Sequence, residues 1–126
     1  MAFLRIGESN YKELISMEVW SPQDLEKRLD QGDRVFLKLW KKGCGPCKLS
    51  TPAVERLEAR NQHNLVFGQI CADDHPEILE VTGTEVLPAF FVFIGGEMKG
   101  SFVGFKGLQK LEEFLDQAVA KDGSVQ

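Results

Sequence analysis

The chain has 126 residues, 43% of them hydrophobic and 27% charged, with a formal net charge of −4. That is enough for one domain with a real core, and the acidic balance argues against nucleic acid as a partner. No window approaches the length of a membrane span, and three cysteines are too few and odd in number for a disulfide framework. The first residues, Met1-Ala2-Phe3-Leu4-Arg5-Ile6-Gly7-Glu8, carry neither a basic n-region nor an apolar h-region. The sequence therefore predicts no signal peptide, and a reducing cytoplasm is the default compartment.

Residues 1–16 read as an N-terminal extension, with a short strand at Phe3–Ile6 and a brief helix from Asn10 to about Ser16 behind a Ser9 cap. A domain is expected over 17–121 and a short tail over 122–126. Met17–Trp20 reads as its opening strand. Ser21-Pro22-Gln23-Asp24 then starts a helix, with Ser at the N-cap, Pro at N1 and an acid at N3. Leu25 and Leu29 are its expected core residues, and Gly32 closes it. Val35–Trp40 is apolar on both parities, as a strand buried on both faces requires, with Lys38 as the one interruption.

Next comes Lys41-Lys42-Gly43-Cys44-Gly45-Pro46-Cys47-Lys48, where the strand gives way to a helix. Two thiols so spaced can close a small ring when oxidised, or stand as a dithiol whose first member sits at a helix N-terminus. There the unpaired N–H groups and the helix dipole favour a thiolate. A thiol with a pKa of ~8.5 is about 3% ionised at pH 7, whereas one near ~7 is about half ionised. Gly45 tolerates the bend and Pro46 suits a first helical turn. Leu49, Ala53 and Leu57 follow helical spacing, with Glu55, Arg56, Glu58 and Arg60 outward and a kink expected at Pro52.

Leu65–Cys71 is the next strand, and Pro76 to about Val81 a short helix. Ala89–Ile94 is an apolar strand, and Gly95-Gly96 turns it into a partner over Gly100–Phe105. Leu108, Leu111, Phe114, Leu115 and Val119 form the stripe of a last amphipathic helix ending near Gly123. The order β-α-β-α-β-α-β-β-α implies an α/β fold, a central mixed sheet with helices on both faces. A zinc site is disfavoured, because neither His63 nor His75 is spaced to complete four ligands, and both read as surface residues. Cys71 reads as a small buried hydrophobe, and Phe90-Phe91-Val92-Phe93 as core.

Trp40, Cys44-Gly45-Pro46-Cys47-Lys48 and Pro52 together resemble the active site of the thioredoxin family. The resemblance covers roughly residues 17–121. Asp73 falls at the family's acid after the strand, Pro88 at its cis-proline, Gly96 at its hairpin glycine, and Val103-Gly104 at the stretch before the last helix. It implies a thioredoxin-like fold and a thiol–disulfide oxidoreductase that needs no cofactor beyond a redox-active Cys44–Cys47 pair. Cys44, at the helix start and nearer solvent, is the candidate nucleophile, and Cys47, one turn in, would resolve the mixed disulfide. In the resemblance Leu87-Pro88 is a cis bond beside the sulfurs, with the Leu87 backbone open to an extended substrate segment, and Gly104 leaves room for it. Trp40 would pack against the active-site loop. The implied partners are protein disulfides and a separate reductase, met by a monomer, with no nucleic acid and no membrane.

Three positions depart from the family. Gly43 stands where a second Trp usually precedes the first Cys, Lys38 replaces a buried Asp, and Gln69 replaces the Lys that accompanies that Asp. Lys38 is therefore a candidate for tuning the thiols, the alternative being a snorkelling stem that carries its ammonium to the surface. Two other readings stand beside reduction: a disulfide oxidase or isomerase, and a thioredoxin-fold binding module with little turnover.

Overall fold

The computed structural model describes residues 17–122; the strand expected at Phe3–Ile6 and the helix expected from Asn10 lie outside them. The elements are β1 (Glu18–Val19), α1 (Pro22–Asp30), β2 (Val35–Trp40), α2 (Gly45–Arg60), β3 (Val66–Cys71), α3 (Glu77–Thr82), β4 (Ala89–Ile94), β5 (Glu97–Val103) and α4 (Leu108–Ala120). They follow the expected alternation. The sheet order is β1-β3-β2-β4-β5, with β1, β3 and β2 parallel and β4 and β5 antiparallel. The apolar run Val35–Trp40 lies at the centre, as its two-sided hydrophobicity demands.

Alternation along β2 sends its side chains into two cores. Phe36 joins Phe67, Phe90, Val54, Leu57, Leu111 and Leu115 under α2 and α4. Val35, Leu37 and Leu39 join Leu25, Ile70, Ile78 and Phe91 under α1 and α3. Phe36 stacks on Phe67 with ring centroids 4.9 Å apart. The α1 start is a capping box: Asp24 N–H donates to Ser21 Oγ (3.1 Å), and Ser21 N–H donates to the Asp24 carboxylate (2.9 Å). These bonds hold the Asp24 carboxyl below its usual range.

Several boundaries and faces differ from the sequence reading. β1 is only two residues long, and Trp20 N–H still reaches Gln69 O at 2.8 Å. Its indole turns onto Gly68 of β3, where a Cβ would clash with the ring. β5 starts at Glu97, not Gly100, because Gly95-Gly96 alone make the hairpin turn. α4 stops at Ala120, before Gly123, which lies outside the described residues. Leu49 does not face the core; it is 70% exposed. The buried face of α2 runs through Cys47, Ser50, Ala53, Val54 and Leu57, and with that face packed on the core Leu49 falls on the far side. Glu58 is likewise not outward. Its Oε1 is buried without a partner among the described residues, and burial, with Glu55 and Glu18 nearby, pushes its pKa up to about 7.

Candidate active site

β2 ends at Trp40, at the C-terminal end of the central strand, and a three-residue loop carries the chain to Cys44, the N-cap of α2. That loop is tied to the segment after β3: Lys42 N–H donates to Asp73 Oδ2 at 3.0 Å, and its ammonium pairs with Asp74 at 3.1 Å. Gly43 adopts φ +71°, in the left-handed region where a Trp would be strained. The residue replacing the usual aromatic thus also suits the turn.

Cys44 and Cys47 form a disulfide across the first turn of α2, with Cα atoms 5.2 Å apart. Cys47 N–H donates to Cys44 Sγ at 3.1 Å, so the sulfur fills the place a capping oxygen would take. The expected contrast in access is small, with Cys44 7% and Cys47 3% exposed. Gly45 and Pro46 are exposed in the same turn. Facing the pair, the Leu87 carbonyl oxygen lies 4.0 Å from Cys44 Sγ. The Leu87–Pro88 bond is cis, and Gly104 N–H donates to Pro88 O at 2.7 Å, which joins the end of β5 to this loop. Val86 and Val103 are exposed beside it.

Lys38 lies beneath the site. It is 3% exposed, and its Nζ donates to Cys47 O (3.0 Å) and Thr51 Oγ1 (3.2 Å). The snorkelling alternative is thereby overturned: the ammonium turns inward, toward α2. Burial pushes its pKa down to about 8, with Glu55 pulling the other way. Gln69, opposite Lys38 in the β2–β3 register, donates instead to Met17 O at 3.1 Å. Ser50 and Thr51 escaped the sequence reading. Ser50 Oγ donates to Cys47 O at 2.7 Å, and Thr51 takes the Lys38 bond. Their spacing of three and four from Cys47 is the signal that places both beside it on α2.

Lys38 gives a pH dependence of known sign. Its folded pKa is depressed, so between pH 8 and 10.5 the unfolded chain binds more protons and stability rises with pH. Denaturant midpoints measured across that window should rise less in Lys38→Met than in the wild type. Parallel curves for the two proteins would contradict the burial of a charged amine.

Cys71 is free and buried, paired in register with Trp40. His63 and His75 are partly buried; His63 contacts Asp116 at 2.7 Å, and His75 is 3.8 Å from Glu77. Among the described residues no three His, Cys, Asp or Glu side chains are gathered as a metal would need, and no helix is long and apolar enough to cross a membrane.

Chemistry at such a site is exchange between a dithiol and a disulfide, and the protein is a thiol–disulfide oxidoreductase. The sequence model of the family described as Thioredoxin matches residues 16–117, and the chain belongs to that family. It is similar to the thioredoxin of Chlamydia caviae, 34% identical over 83 residues that span 66% of this chain and 80% of that one. It is also similar to thioredoxin 1 of Chlorobaculum tepidum, 27% identical over 85 residues, 68% of this chain and 84% of the other. Among solved structures, a Malassezia sympodialis thioredoxin superposes with a TM-score of 0.71 at 27% identity, covering 82% of this chain and 91% of that one.

Proposed function

We propose that this protein reduces protein disulfides, acting in the cytoplasm as a monomer whose dithiol is restored by a separate reductase. The Cys44 thiolate attacks one sulfur of the substrate disulfide, and the other substrate sulfur leaves as a thiolate that takes up a proton. Cys47, deprotonated, then attacks Cys44 Sγ. The Cys44–Cys47 disulfide forms, the mixed disulfide breaks, and the second substrate sulfur leaves reduced. Two electrons pass from the Cys44–Cys47 dithiol, which becomes the disulfide, to the substrate, which becomes two thiols, so the step uses no further cofactor. The observation that carries this reading is the placement of Cys44 Sγ, which accepts the Cys47 N–H at the start of α2 and lies beside the Leu87 carbonyl. The first contact stabilises a thiolate. The Leu87 backbone makes no hydrogen bond to other backbone among the described residues, and it can receive an extended substrate segment beside Gly104.

An insulin-type disulfide reduction assay tests the proposal. A cysteine-dependent rate is expected, and its absence would favour a binding module. The oxidase reading has one observation in its favour, the Lys38 ammonium bonded to the Cys47 carbonyl. Positive charge there favours thiolates, which stabilises the reduced form and raises the potential. Lys38→Asp is therefore expected to have a lower potential, each 1.4 kcal/mol corresponding to about 30 mV. Equilibration of both proteins against glutathione at several pH values measures this. A mutant potential equal to or above that of the wild type excludes Lys38 as a positioning residue for the thiols.

A further inference from the structure

We propose that a cavity beside the cysteine pair is a carboxylate-binding subsite, so that this protein prefers substrate disulfides flanked by Asp or Glu. The inference rests on the reductase reading above and specifies its substrate class. The cavity, of about 510 Å³, is lined by Lys38, Trp40, Lys41, Lys42, Cys47 and Lys48, among others. Among the described residues no carboxylate lines it.

Its charged lining residues are all lysines. Four lysines, Lys38, Lys41, Lys42 and Lys48, line it from one stretch of eleven residues, 38–48. The Trp40 indole N–H is buried and finds no acceptor in the protein among the described residues. A buried donor left unpaired costs about 1–3 kcal/mol, which an incoming acceptor would recover. Lys38 has three N–H donors and spends two, on Cys47 O and Thr51 Oγ1.

The acids nearby offset only part of this positive charge. Asp74 pairs with Lys42, Asp73 accepts the Lys42 N–H, and Glu55 acts on Lys38. Lys41 and Lys48 are exposed and form no ion pair among the described residues. The lysines stand on a chain whose net charge is −4, so the positive patch is local and orients an acidic partner. Gly43 opens the rim. It is exposed, and a side chain at that position would project into empty space. An acidic side chain entering there lies beside Cys47, while the disulfide it flanks reaches Cys44.

The test uses reduced protein and synthetic peptides that each hold one disulfide and differ only in the residues flanking it: Glu, Gln or Lys. The Glu peptide is expected to show a kcat/KM about tenfold above the Gln peptide, with the Lys peptide lowest. That ratio should fall toward one in the double variant Lys41→Gln/Lys48→Gln, and also as salt is raised. Equal rates for the Glu and Gln peptides overturn the subsite, and a preference that survives unchanged in the double variant overturns it as well. Failure to reduce any of the three peptides instead overturns the reductase reading.

Discussion

Cys47→Ser, mixed with a disulfide-containing protein substrate, is expected to stop at the covalent intermediate and accumulate it. Cys44 still caps α2 and still accepts the N–H of residue 47, so its thiolate remains available to attack. A serine hydroxyl does not displace the bound sulfur at neutral pH, and the second exchange is lost. Turnover should fall by on the order of 10³-fold or more, as when one member of a pair acting as a unit is removed. Non-reducing electrophoresis would show a band of the summed mass, cleared by added thiol. Cys44→Ser should lose turnover equally but form no such band. In the reduced wild type, Cys44 should be alkylated well before Cys47, and Cys71, a free thiol buried in the core, last of the three. Trapping through Cys47 or Cys71 would reverse the assignment of the nucleophile.

Gly68→Ala is expected to be the most damaging single-methyl change in the domain. Gly68 lies in β3, between Glu18 of β1 and Leu37 of β2, and the Trp20 indole covers it. A Cβ there would clash with the ring, and the neighbours leave little room to yield, since Trp20 is 5% exposed and its core companions Leu25, Val35 and Leu37 are buried. The Arg28 guanidinium lies 5.7 Å from the ring centroid, and Glu18 accepts the indole N–H at 2.9 Å, so displacing the indole breaks further contacts. Overpacking of this kind costs typically 1–3 kcal/mol and occasionally more; about 3 kcal/mol is expected here, a large share of a domain's ~5–15 kcal/mol. Chemical denaturation of the variant measures the loss. Combining it with Trp20→Ala should cost less than the sum of the two single changes, because the clash is then absent. Additive costs, or wild-type stability in Gly68→Ala, would show that the indole does not rest on Gly68.

The local signals in the chain suffice where cause and effect lie within a few residues. Ser21, Pro22 and Asp24 build their own helix start, and Cys44 sits three residues before the amide that binds its sulfur. The two-sided hydrophobicity of Val35–Trp40 placed that strand at the sheet centre, and the stripe of α4 buries Leu111, Leu115 and Val119. Periodicity misjudged α2, because Leu49, Ala53 and Leu57 share a helical spacing whatever face the helix presents. That face is decided by docking onto the sheet, which buries Cys47, Ser50, Ala53, Val54 and Leu57 and leaves Leu49 out. Lys38 shows the same limit. A lysine in an apolar strand is compatible with either a surfaced or a buried ammonium, and only the packing of α2 over β2 supplies the Cys47 carbonyl and Thr51 hydroxyl that hold it inside. The unpaired Trp40 N–H, the half-buried Glu58 and the contact of Trp20 with Gly68 likewise depend on groups brought together by strand order and helix docking. Chain sequence sets hydrogen bonding and amphipathicity over one or two turns, but solvation of a charge is set by everything within a few ångströms of it, whatever the distance along the chain.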